Sequence, residues 1–373
     1  MTDGRQQPDE SAGVVSSALD AVPEEAPPPT RTAWMDSARV LTIGTVVLIH
    51  VLAPTVEGRQ IEIGSAGWWV ANSFNSACRW CVPVFLMIAG ALALDPARVS
   101  RPRDFYRKRW QRIGVPLVFW TVFYLAFRAY VLGQDVGPGE AAEDVAAGAP
   151  FLQLYFLYIL AGLALITPFL KVITRHATCR MTLGFGVVLT GLGVVDQVVS
   201  YSGGVGEPNA ATRFLPFAGY YVLGWCLRDV LLPRRWVLPV WLAFVVSVVV
   251  TAVLAAVNDF GNLGRYAYDF LSPTVTVMSL TAFLLLHRLL RVRGVVLRRW
   301  AHLAFGVFLV HGALVYGFRS TVGLPTDVFT VLVWAFGLTT LYGLASAAIT
   351  WVALKVPYLR MVLGEPAGIT PGR

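Results

Sequence analysis

The chain has 373 residues, 56% of them hydrophobic and 14% charged, against roughly 25% charged in an average soluble protein. With a mean hydropathy of +0.62, this balance excludes a disordered chain, a basic nucleic-acid-binding domain and an ordinary cytosolic enzyme, and leaves a polytopic membrane protein. The net charge of +8 fits that class, because basic residues collect in the cytoplasmic loops of membrane proteins.

Residues 1–33 read as a disordered cytoplasmic tail. Glu24, Glu25 and the Pro27-Pro28-Pro29 run belong to a polar, proline-rich stretch that cannot bury a core and has no apolar centre of signal-peptide type. A membrane domain is expected over 34–354, followed by a short cytoplasmic tail at 355–373. A span needs about 20 mostly apolar residues to cross ~30 Å of hydrocarbon. Ten segments qualify, at about 39–56, 68–94, 113–132, 151–170, 182–200, 213–231, 236–257, 268–290, 301–319 and 327–354. The second and tenth are long enough to tilt or break. The expected fold is therefore all-α, a bundle of about ten membrane helices. Lys and Arg concentrate after the even-numbered segments, while the alternate loops hold Arg59, Arg213, Arg265 and Arg319. That asymmetry predicts both termini in the cytoplasm.

Within such a bundle an ionisable side chain at depth is a functional candidate by default. His50 follows Arg39 by eleven residues, about 16 Å along a helix, which puts it near mid-membrane. His311 follows Trp300 by the same interval and enters from the same side. Each imidazole serves either as a buried hydrogen-bonding group or, with a pKa near 6.5, as a base toward a hydroxyl. The loop 95–112 carries Arg98, Arg101, Arg103, Arg107, Lys108, Arg109 and Arg112. Arg109 and Arg112, three apart, are expected on one helical face, suited to phosphate oxygens or to anionic lipid headgroups. Arg79 is expected in the outer part of the second span near Asn72 and Asn75, contacting a substrate or pairing internally. Asp196, Asp229 and Asp269 read as interfacial residues at helix ends. Cys78 and Cys81 form a C-x-x-C with no partner pair and read as packing residues.

Five stretches then become familiar. Trp34-Met35-Asp36-Ser37-Ala38-Arg39 continues to His50 as an R-x10-H motif. Val82-Pro83-Val84-Phe85-Leu86-Met87-Ile88-Ala89-Gly90 is similar to a P-x-F-x-x-x-S-G segment, with Ala89 in place of serine. Phe105-Tyr106-Arg107-Lys108-Arg109-Trp110-Gln111-Arg112-Ile113 with Pro116 resembles a basic R-x-x-R helix entry. Tyr155-Phe156-Leu157-Tyr158-Ile159-Leu160 with Ile166-Thr167-Pro168 matches a fourth-helix pattern, with Gln153 and Tyr155 where many relatives carry His and Trp. Phe305-Gly306-Val307-Phe308-Leu309-Val310-His311 resembles a late G-I-Y-L-I-H element, preceded by Ala304 instead of serine. In this order, over about 34–320, they resemble the membrane-bound acyltransferase 3 family of bacterial O-acyltransferases acting on surface glycans and related molecules.

The resemblance implies a multi-pass enzyme of the bacterial plasma (inner) membrane. It would move an acyl group, acetyl in the first instance, from cytoplasmic acyl-CoA to a hydroxyl of a cell-envelope glycan or related acceptor. It implies a catalytic pair of His50, as base or acyl relay, and Arg39, supporting the donor or the thioester oxygen, with Arg109 and Arg112 binding the donor's phosphates. His311 and Arg79 are weaker candidates for contacts to the acceptor. No metal and no nucleic-acid partner is expected. A secondary transporter of a glycan-linked or apolar substrate is the alternative. It predicts a mid-membrane coupling carboxylate and two related halves, neither of which is evident in the sequence.

Overall fold

The computed structural model describes residues 33–58, 61–97, 101–203, 209–257, 260–290, 295–323, 325 and 327–365. The expected tail at 1–33 falls outside them apart from its last residue, as do Arg59, Arg98 and the end of the C-terminal segment from 366. Among the described residues every regular element is helical. In chain order these are α1 (Ala33–Glu57), α2 (Ala66–Cys78), α3 (Cys81–Ala93), α4 (Pro102–Arg109), α5 (Val115–Tyr130), α6 (Pro138–Ala147), α7 (Tyr155–His176), α8 (Cys179–Tyr201), α9 (Ala218–Leu227) and α10 (Arg234–Ala256). They continue with α11 (Asn262–Ala267), α12 (Pro273–Leu289), α13 (Val295–Gly317), α14 (Arg319–Val322), α15 (Val328–Val333), α16 (Thr339–Ala353) and α17 (Pro357–Val362).

Joined across short breaks and π-turns, these make eight helices long and apolar enough to cross a membrane. The two other expected spans, 213–231 and 268–290, form shorter apolar helices, Leu215–Leu227 and Pro273–Leu289. At 1.5 Å per residue they reach only about 20 and 25 Å. The long second segment breaks in two at Arg79–Trp80, between α2 and α3. The tenth stays continuous through a π-turn at Trp334–Leu338. Residues beyond 355 are not simply a tail, since α17 forms there and packs against α5.

Burial separates an inner from an outer set. α1, the α2–α3 pair, α7, α9, α12 and α13 supply most of the core. α8 and α10 lie outside it with apolar side chains exposed, among them Val188 at 59%, Leu238 at 62% and Val246 at 58%. A surface of that kind suits hydrocarbon better than water. The tightest crossing is α3 on α9, built from glycines. A Cβ on Gly90 would collide with the Tyr221 carbonyl, and one on Gly224 with the Met87 backbone. Small residues let two backbones approach within reach of dispersion attraction where no hydrophobic force acts between helices.

Gly224→Val should force α3 and α9 apart at a cost of about 1–3 kcal/mol, whereas Gly44→Ala, on a helical position with open space around it, should be neutral or stabilising by up to ~1 kcal/mol. Thermal unfolding of the two variants in detergent checks both; equal midpoints would refute the close-crossing account.

Candidate functional site

α1 and α13 pack side by side, and the two histidines read from the sequence meet between them. The rings of His50 and His311 lie 5.1 Å apart, centroid to centroid, at an angle of 48°. Pro54 stands four residues after His50 inside α1. It has no N–H to return to the His50 carbonyl, so the α-helical ladder is interrupted at that point. One residue earlier the Ile49 carbonyl accepts from the Asn75 amide of α2 at 3.4 Å. His50 Nδ1 lies 3.2 Å from the Tyr316 hydroxyl, which fixes the ring and directs Nε2 away from it. His50 keeps part of its surface accessible, while His311 is fully buried.

Nδ1 of His311 lies 3.1 Å from the Val307 carbonyl. A carbonyl only accepts, so this nitrogen carries the proton and donates. His311 Nε2 then presents a lone pair, and it has no hydrogen-bond partner among the described residues. Gln153, just ahead of α7, is 1% exposed; its amide makes no regular hydrogen bond but lies beside the Tyr124 hydroxyl. It packs against Gly312, where any Cβ would collide with its amide. Nearby, the Tyr124 hydroxyl donates to the Leu309 carbonyl at 2.7 Å and accepts from the Ala313 N–H at 3.1 Å. Buried polar atoms are mostly paired, so an imidazole nitrogen and an amide without regular partners in this neighbourhood have hydrogen-bonding capacity to offer a polar group. Only the departure at Gln153 from the family pattern hinted at this residue; its burial was not readable.

Arg39, Arg109 and Arg112 lie toward one end of the bundle, here called the basic end. Arg39 pairs with Asp36 on the preceding turn of α1 at 3.0 Å, with about a third of its side chain exposed. The expectation that Arg109 and Arg112 share one α-helical face needs correction. A π-turn, Trp110–Gly114, separates them, because Pro116 cannot return the α-helical bond to the Arg112 carbonyl. Arg109 is half-buried, its guanidinium 5.1 Å from the Phe105 ring, while Arg112 is exposed. The structure adds Lys171 of α7, whose amine lies 5.8 Å from the same Phe105 ring.

At the opposite end, Arg79 caps α2 at the helix break and is 7% exposed. Its Nε donates to Asn75 Oδ1 at 2.9 Å, one terminal nitrogen to the Tyr268 carbonyl at 3.4 Å and the other to Glu57 at 3.1 Å. The guanidinium also lies 3.8 Å over the Tyr268 ring, and the Tyr268 hydroxyl bonds to Asn72. Of the two readings of Arg79, internal pairing is what the geometry realises. It nonetheless forms the inner wall of an open cavity of about 390 Å³, lined also by Glu57, Tyr201, Phe260, Arg265, Tyr268, Asp269 and Phe270. Asp269 lies between two helix ends, as expected, and lines this cavity. It sits in the α11–α12 connection, with Oδ1 accepting from the Leu271 N–H at 2.8 Å. Burial pushes its carboxyl up to about 6, against the opposing pull of the Leu271 N–H and Arg79. Cys78 and Cys81, both buried and free, flank the break.

The site is thus a pair of imidazoles at depth, a basic end on one side and a mixed aromatic and charged cavity on the other. No curated protein and no solved structure matches the chain. A family model described as an acyltransferase domain matches residues 32–353, from the residue before α1 to the end of α16. That match takes in both histidines, the arginines of the basic end and the broken helix. By the extent of it, the chain belongs to the acyltransferase 3 family.

Proposed function

We propose that this membrane acyltransferase transfers an acyl group, acetyl in the first instance, from acyl-CoA at the basic end to a hydroxyl of a cell-envelope glycan or related acceptor. The acceptor would enter through the opposite cavity, and His50 would act as the base. In this reading the basic end faces the cytoplasm of a bacterial cell, as do both termini, in keeping with the concentration of Lys and Arg in the loops on that side. The observation that carries the proposal is the contact between His50 and His311 at 5.1 Å, at depth between two differently lined ends.

Each step asks something specific of the chain. Arg112, with Arg109 and Lys171 nearby on the same end, offers guanidinium and ammonium donors to phosphate oxygens. The donor's pantetheine arm then has about 16 Å of α1 to descend before its thioester reaches the level of His50. Nε2 of His50 removes the acceptor's hydroxyl proton as the oxygen attacks the thioester carbon. Collapse of the tetrahedral intermediate breaks the C–S bond, and the leaving thiolate takes that proton from the imidazolium. Transfer through an acyl-His50 intermediate uses the same residue as nucleophile and the same leaving group. His311 and Gln153, with polar atoms left open, suit contacts to the acyl carbonyl or the acceptor. Arg39, paired to Asp36, supports the donor end. In the opposite cavity, tyrosine and phenylalanine faces beside Asp269 and Arg265 suit a ring bearing several hydroxyls, with Arg79 held in the wall. A transporter reading is disfavoured by the family match, and the carboxylates that line the cavity, Glu57 and Asp269, sit near an end and not beside the histidines.

Three outcomes test the reading. His50→Ala should lower transfer by about 10²–10⁴-fold while acetyl-CoA still raises the unfolding temperature; transfer at the normal rate would remove His50 from the chemistry. Acetyl-CoA at 100 times its dissociation constant should stabilise the wild type by about 2.7 kcal/mol, and the Arg109→Ala, Arg112→Ala double variant should lose that gain. For Asp269, a carboxyl raised from 3.8 to about 6 favours the folded protein most when protonated. The wild type should therefore lose stability as pH rises from about 4 through about 6, and Asp269→Asn should flatten that slope. Parallel pH profiles for the two proteins would show that Asp269 is not buried in the cavity as described.

A further inference from the structure

The end of α17 and the residues after it fold back onto the basic end. The Trp120 indole N–H of α5, about two turns beyond Arg112, donates to the Val362 carbonyl at 2.9 Å. Leu363 is 5% exposed, part of the core. Gly364 adopts φ +76°, a left-handed conformation. A Cβ there would lie 2.7 Å from the Arg112 carbonyl oxygen and 2.8 Å from the Phe305 ring of α13. Glu365 closes the loop, with one carboxylate oxygen 2.5 Å from His302 Nε2 of α13 and the other 3.7 Å from Arg360.

The carbonyl under Gly364 is the one that Pro116 leaves without its α-helical donor. The π-turn carrying Arg112 is therefore the place where the long α4–α5 helix departs from regular bonding. It is also where the chain's own C-terminal segment leans on it. Glycine is required twice over at 364, by the positive φ and by the approach to backbone. Glu365 joins that contact to α13, whose His302 lies about 14 Å along the same helix from His311.

We propose that residues 362–365 form a positioning strap for the donor site, fixing the π-turn against α13 so that Arg112 meets the phosphates of acyl-CoA. The inference rests on the donor reading above. Glu365 and Gly364 touch no substrate in it; they act through Arg112. The strap also ties the rim of the donor site to the helix that carries His311.

The test is a double-mutant cycle on the full-length protein in detergent, with acetyl-CoA as the probe and its dissociation constant taken from the ligand-dependent shift in unfolding. Glu365→Gln keeps the size of the side chain and removes the charge facing His302 and Arg360. Gly364→Ala gives a second, independent release of the same contact. Each variant is first shown to unfold cooperatively without ligand. Acetyl-CoA should bind about 5- to 10-fold more weakly to Glu365→Gln than to the wild type, the loss of one charged hydrogen-bond partner. In an Arg112→Ala background the same substitution should bring no further weakening, because the strap works through Arg112. Glu365→Asp should restore part of the affinity. Unchanged affinity in both folded strap variants would overturn the proposal, and so would weakening that adds fully to that of Arg112→Ala, which is the signature of a structural role alone. A wild type that binds no acetyl-CoA would instead overturn the donor reading and this inference with it.

Discussion

Hydrocarbon offers no hydrogen bonds, so a membrane bundle must satisfy every buried polar group from within itself. That constraint governs the whole arrangement. A guanidinium at a helix break persists because Asn75, Glu57, the Tyr268 carbonyl and the Tyr268 ring surround it together. Many serines and threonines of the apolar helices return their hydroxyls to the preceding turn, as Thr42 does to Ala38 and Thr167 to Leu163. Against that background, the few places where the rule is relaxed stand out. Among them are His311 Nε2 and the Gln153 amide, beside hydroxyls such as those of Thr55, Ser346 and Thr350, and Pro54 and Pro116 withhold a bond from the carbonyls of His50 and Arg112.

The spacing of those prolines links local chemistry to function. Pro54 and Pro116 each stand four residues after a residue proposed to act, one in chemistry and one in donor binding. A proline at that interval loosens the helix at the acting residue and not beside it. Around His50 the loosened turn is held by Asn75 on the Ile49 carbonyl. Around Arg112 it becomes a π-turn with Gly364 against it. The two sites share one device and differ in what braces it.

Much of the fold was legible because apolar length and loop charge are one-dimensional signals. The helical class, the positions of most long helices and the depth of His50 and His311 along their own helices needed only counting. What counting could not supply was which face meets which neighbour. That the two imidazoles touch depends on the rotation of α1 against α13. Arg79 finds Glu57 far upstream and Tyr268 far downstream, and no period in the sequence couples them. Lys171 joins the surroundings of Arg109 only because α4 lies on α7. The segment from 268 looked like one continuous helix; the structure starts that helix at Pro273 and bends the chain before it, which is what brings Asp269 into the cavity. Arg109 and Arg112 do not share an α-helical face because Pro116, four residues after Arg112, turns that stretch into a π-turn, an effect of bonding and not of spacing.

The fixed charge of Arg79 has a consequence for the membrane itself. A protein that lets donor and acceptor meet at mid-depth from opposite ends comes close to being a pore, and paired imidazoles are good carriers of protons. Arginine keeps its charge at any pH a cell meets, and here the guanidinium is tied on three sides and stacked on a fourth. In the proposed function, a hydronium ion entering this cavity would meet a fixed guanidinium, paired with Glu57, before reaching His50, an arrangement related to the arginine barriers of water channels. A neutral polyol meets no such repulsion. In that reading, the side chain that lines the cavity would also help keep the bilayer electrically sealed.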